Sequence, residues 1–100
     1  MSIAGDWQMV VQSPMGKQHF TVSYQEDGGV VTGTLTNNEN KLTTEIFDGS
    51  VDGDELAWKA TLKQIRMTLA FNLKVTDDTM AGKVKAGPFG RFNVSAERGK

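Results

Sequence analysis

The sequence predicts an all-β protein, an eight-stranded antiparallel up-and-down meander closed into a short barrel. Three observations carry this. Turn signals recur about every 10 to 14 residues, which leaves no room for a helix between them. Between the turns, apolar and polar residues alternate with period two rather than 3.6. Strand formers are abundant, with Val, Ile and Thr together contributing 22 of 100 residues, and 11 Gly and 2 Pro provide the punctuation.

In chain order, Gly5 to Ser13 is the first strand, closed by Pro14-Met15-Gly16, where proline supplies the fixed φ of a turn. Gln18 to Gln25 returns to Glu26-Asp27-Gly28-Gly29, a hairpin signal because adjacent glycines accept positive φ. Val30 to Thr36 follows, and Asn37 to Asn40 turns into a strand from Lys41 to about Asp48, extending to Val51 if Gly49 marks a bulge. Asp52-Gly53-Asp54 then leads to Leu56 to Leu62, and Lys63-Gln64 to the longest run, Ile65 to Val75. Asp77-Asp78 and Gly87-Pro88-Phe89-Gly90 separate the last two strands, Met80 to Ala86 and Arg91 to Glu97. A weak repeat supports this parse: the units beginning at Asp27, Asp52 and Thr76 each place an acidic turn before a strand, and put Gly33, Trp58 and Gly82 at equivalent positions.

One domain, residues 1–100, accounts for the length. A chain of this mass buries about 65% of its surface on folding, enough for a single core. Hydrophobic and charged fractions of 38% and 23% are ordinary for a globular protein. The net charge of -1 provides no basic field for a nucleic acid. Without cysteine there are no disulfides or thiolate sites, and the apolar runs are too short to form a membrane-spanning helix. Met1 to Gly5 carries no signal-peptide pattern, so a cytoplasmic location is expected, with no membrane partner.

Alternation assigns one face to the interior: Trp7, Met9 and Val11; Phe20, Val22 and Tyr24; Val31 and Leu35; Leu42 and Ile46; Leu56, Trp58, Ala60 and Leu62; Met67, Leu69, Phe71, Leu73 and Val75; Met80 and Val84; Phe92, Val94 and Ala96. Eight strands with one apolar face bury it by closing on themselves or by stacking as two sheets; closure also removes both edges. In a closed meander the last strand ends beside the start of the first, so Trp7 and Arg98 become neighbours and a guanidinium over the indole seals that end.

Gly5-Asp6-Trp7, together with an arginine closing the final strand, resembles the Gly-x-Trp and C-terminal Arg signature of the calycins, the group of lipocalins, fatty-acid-binding proteins and avidins. Glu26 to Gly29 followed by Val31-Thr32-Gly33-Thr34 is most similar to the second hairpin of avidins. The resemblance implies a barrel that carries a small apolar ligand. The avidins' polar biotin ligands have no counterpart here.

Other motifs point to bland roles. Asp48-Gly49-Ser50-Val51-Asp52-Gly53 matches the opening of a calcium-binding EF-hand loop, but its twelfth position is Lys59 rather than a bidentate Glu, so a bulge and an acidic turn are expected and no metal. His19, the only histidine, falls on the outer face, and no serine sits in a nucleophile elbow. Lys59, Arg66, Lys74, Lys83 and Lys85 form an outer stripe interrupted by polar residues, expected to be solvated. No inward pair of titratable groups suggests catalysis, so the enzyme question stays open, leaning to none, and no cofactor is implied.

The function expected is binding of a small hydrophobic molecule in the lumen, lined by Met9, Phe20, Tyr24, Trp58, Met67, Phe71 and Met80, with Trp7 and Arg98 closing one end. Gly33 and Gly82 either make room for the Trp58 indole or leave a hole for the guest. The alternatives are a structural or self-associating barrel with a filled core, and a small cyclase or isomerase acting by template effect. A homodimer through an exposed edge of Ile65 to Val75 is a further possibility.

Overall fold

The computed structural model describes residues 3–13, 16–39, 41–62 and 66–99. Eight strands run in chain order: β1 (Gly5–Ser13), β2 (Gly16–Asp27), β3 (Val30–Asn37), β4 (Thr43–Asp52), β5 (Glu55–Leu62), β6 (Met67–Thr76), β7 (Thr79–Lys85) and β8 (Arg91–Arg98). Each pairs antiparallel with the next, and β8 pairs with β1, closing the barrel. The predicted fold class is therefore the observed one. Connections fall into two groups. At one end, two-residue hairpins at Gly28-Gly29, Gly53-Asp54 and Asp77-Asp78 join the strands, with positive φ at Gly28, Gly29, Gly53 and Asp77. The other end carries the two-residue connection from β1 to β2 and the longer connections, among them a 3-10 turn at Gly87–Phe89. Proline in that turn fills a position that needs no amide donor. The acidic repeat thus places its three tight turns at the end where β1 begins and β8 finishes.

Alternation holds through nearly the whole interior. The core contains the buried members of the inward set and excludes every charged residue among those described. Two apolar residues outside the inward set join it: Ile3, ahead of β1, and Ala86, which carries the parity of Met80 and Val84 just past the end of β7. Leu42 departs in the opposite direction and is exposed. Lys41 has φ of 63°, and β4 begins only at Thr43, so period-two geometry does not reach back to Leu42.

The extra residue in β4 lies where Gly49 suggested. Its register slips against both β3 and β5 around Asp48 and Gly49, and Asp48 adopts φ of 51°. The EF-hand-like segment is this bulge followed by a two-residue turn, with Asp48 paired to Lys59 at 3.9 Å. No group of three or more His, Cys, Asp or Glu is placed to hold a metal among the described residues.

The glycines in the strands are there for a different reason from either expected. A Cβ on Gly33 would lie 1.8 Å from the Ser23 carbonyl oxygen, and one on Gly82 would lie 1.9 Å from that of Asn72. Both are points where neighbouring backbones approach too closely for any side chain, the glycine kinks that bend a sheet into a narrow barrel. They do not open a hole in the lumen. The dimer route by way of β6 also changes, because from Ala70 to Lys74 both edges of that strand are taken, by β5 and by β7.

Candidate functional site: the barrel lumen

The lumen differs between its two ends. At the hairpin end Trp7 and Arg98 face each other in register, with the guanidinium carbon 4.6 Å from the indole centroid. Arg98 Nε donates to Asp78 Oδ1 at 3.0 Å and Nη1 to the Ala4 carbonyl at 2.9 Å, so the cation is held over the ring from two sides. Trp7 Nε1 donates to the Ile3 carbonyl at 2.9 Å, folding the leading segment across the base and burying Ile3. The Ile3 amide in turn donates to Glu26 Oε1 at 3.3 Å. These contacts seal the base.

Above the base, four aromatic rings cross the interior. Trp7 meets Tyr24 edge-on at 6.5 Å, Tyr24 meets Trp58 edge-on at 6.0 Å, and Trp58 stacks on Phe71 at 4.0 Å and 15°. Register explains the last contact, since Trp58 and Phe71 are directly opposed on β5 and β6. Of the seven expected ligand contacts, Met9, Tyr24, Trp58, Phe71 and Met80 lie in this fully buried layer. The remaining two lie nearer the loops: Phe20 is 7% exposed, and Met67 is half-buried at the start of β6.

Near the hairpins Val51 and Val75 are half-buried, and more of the inward set is partly exposed toward the loop end. Val11 and Ile46 are 7% and 6% exposed, and Leu69 reaches 8%, while Leu62 and Phe92 pack there half-buried. At the rim, Leu42 and Phe89 are openly exposed, Phe89 at 68%. This end is therefore the less tightly covered of the two. In the connections at this end, Pro14, Met15, Asn40 and residues 63–65 lie outside the described residues. Val11, Ile46 and Leu69 are legible as inward residues from alternation, and the strand order puts them toward the loop end.

Two polar atoms lie in the aromatic layer. Tyr24 Oη donates weakly to the Met80 thioether at 3.9 Å. Trp58 Nε1 is buried and has no hydrogen-bond partner. Burial pushes the Tyr24 phenol well above its ordinary value of 10.0, and the neighbouring indole offsets this only in part, so Tyr24 is neutral across the physiological range.

The outer face is polar. Thr36 and Thr43 bond at 3.0 Å, as do Thr61 and Thr68, and Ser23 donates to Asp6 at 2.6 Å. His19 is exposed on this face, as expected. In the basic stripe, Lys59 pairs with Asp48 and Lys74 with Asp54. A shallow groove of about 440 Å³ runs over β4 to β7, where Ser50, Ala57 and Ala81 are too short to fill the surface. No helix is long and apolar enough to cross a membrane among the described residues.

Comparison with models of known protein families gives no match, and comparison with curated proteins gives none either.

Proposed function

We propose that this barrel binds one small apolar molecule, which enters at the loop end and rests on the aromatic layer. The observation that supports this reading most is the contrast between Trp7, fully covered by Arg98 and the leading segment, and the loop end, where Phe20, Ile46, Met67 and Leu69 are partly exposed. Affinity would come from apolar burial, at ~25 cal/mol per Å² removed from water. Burying ~250 Å² gives ~6 kcal/mol, a Kd of roughly 30 μM before ordering costs. Closure of eight antiparallel strands and the seating of Arg98 over Trp7 support placing the fold with the calycins. Thermal-shift screening against fatty acids, steroids, terpenes and aromatics, with native mass spectrometry of the purified protein, tests the reading. Stabilisation by one class is expected, and it should be lost when Leu69→Trp narrows the loop end. If no class stabilises the protein and no small molecule co-purifies, ligand carriage is rejected.

The second reading is a structural barrel with a filled core, favoured by the complete burial of Trp7, Tyr24, Trp58 and Phe71. It predicts that the same screen is silent and that Leu69→Trp changes stability alone.

A further inference from the structure

Resting on the lumen as a ligand site, the chemistry of the guest can be narrowed by the two polar atoms in the aromatic layer. An indole N–H is a donor with no acceptor function, and in a site sealed from water it needs an acceptor. Trp58 Nε1 has none. The Tyr24 hydroxyl beside it has only the Met80 thioether, a weak acceptor, at 3.9 Å. The one buried side-chain oxygen beside the indole is the Tyr24 hydroxyl itself, close enough to feel the N–H but not in hydrogen-bond geometry with it, and the described core supplies no other buried polar side chain.

We propose that the guest is a neutral carbonyl compound whose oxygen accepts from Trp58 Nε1 and Tyr24 Oη, displacing Met80 from the hydroxyl. The methionine suits that exchange because it is unbranched and can turn its thioether aside without a change in the wall. The charge of the guest follows from the same surroundings. A carboxylate would need a buried cation, and no lysine, arginine or histidine is buried among the described residues. Arg98 is engaged with Asp78 and the Ala4 carbonyl, on the far side of the Trp7 ring. A hydrocarbon would fill the same volume and leave both donors unmet.

The test compares cyclooctanone, cyclooctane and cyclooctanecarboxylate on the intact protein, by calorimetry and by the indole N–H signals in proton–nitrogen correlation spectra. Trp7 Nε1 already donates to Ile3, so its signal is an internal reference, and the Trp58 signal is the one expected to move downfield with the ketone alone. The ketone should bind about 10-fold more tightly than the hydrocarbon, and the carboxylate should not compete. Trp58→Phe and Tyr24→Phe leave an aromatic ring at each position without the donor, and each should bring ketone affinity down toward that of cyclooctane; Met80→Leu should preserve the preference. Equal binding of ketone and hydrocarbon with an unmoved Trp58 signal overturns the carbonyl assignment while leaving the lumen site standing. Preferential binding of the carboxylate overturns it as well. If none of the three binds, the assignment falls together with the ligand reading beneath it. Should Trp58→Phe fail to fold, the Tyr24→Phe protein and the wild-type spectra still decide.

Discussion

Replacing Gly82 with alanine asks why a glycine stands in the wall of the barrel. A methyl group there would come within 1.9 Å of the Asn72 carbonyl oxygen and 2.8 Å of Leu73 Cα, both backbone atoms that cannot rotate away. The strands must separate by about 1 Å before such a contact becomes tolerable. Gly82 is paired with Leu73 on one side and Val94 on the other, so separation stretches the ladder between β6 and β7. Losing two ladder hydrogen bonds costs about 2 kcal/mol, and strain in the surrounding core adds about 1 kcal/mol. A loss of ~3 kcal/mol lowers Tm by roughly 12 to 24 °C in a domain of this size. Urea unfolding followed by tryptophan fluorescence and far-UV circular dichroism measures it, with Lys83→Ala as an exposed neighbour expected to change stability by less than about 0.5 kcal/mol. The opposite reasoning, that Gly82 leaves a void in the lumen, predicts that the methyl group fills it and stabilises. A midpoint for Gly82→Ala at or above the wild-type value would refute the close-approach account.

Arg98→Ala should lower stability by about 1 to 2 kcal/mol, mostly through the lost stacking on Trp7, since the Asp78 carboxylate is largely solvated. A double-mutant cycle with Trp7→Leu checks this, and additive losses would remove the cation–π contribution. Met9→Ala, in the sealed layer, should cost about 3 kcal/mol, whereas Met67→Ala at the loop end should cost about 1 kcal/mol; similar losses in denaturant melts would contradict the difference between the two ends. Tyr24 gives a pH dependence with a definite sign. Its folded-state pKa is raised, so above pH 10.0 the unfolded chain releases a proton that the folded protein retains. Its contribution is therefore complete below that pH and declines above it by about 1.4 kcal/mol per pH unit. Tyr24→Phe should remove that component of the slope, and identical alkaline slopes for the two proteins would show that the phenol ionises in place.

Much of this architecture is readable from residue order because a strand's two faces are separated by period two alone. Gly5 to Ser13 and the Gly28-Gly29 turn fall where alternation and glycine place them, and Trp7 meets Arg98 because an even-numbered closed meander leaves no other neighbour for the last strand. What escapes is set by contacts between segments distant in sequence. Ile3 lies ahead of the alternating run, and its burial depends on the bond from Trp7 Nε1 to its carbonyl. Leu42 carries the right residue type on a segment that has not yet become a strand. Gly33 and Gly82 share a repeat position, yet their need for hydrogen in place of a side chain arises from Ser23 and Asn72 on adjoining strands. Trp58 and Tyr24 were identifiable as the inward aromatics with polar handles; that the indole lacks an acceptor while the phenol has only sulfur depends on where Met80 falls.

The pairing of β1 with β8 brings the Gly99 amide to 2.7 Å from the Asp6 carbonyl, on the side away from the loop end. A brief linker there would suit circular permutation, with new termini opened in the Gly87–Phe89 turn. In the unpermuted protein, immobilisation through Gly99 would turn the loop end outward into solution.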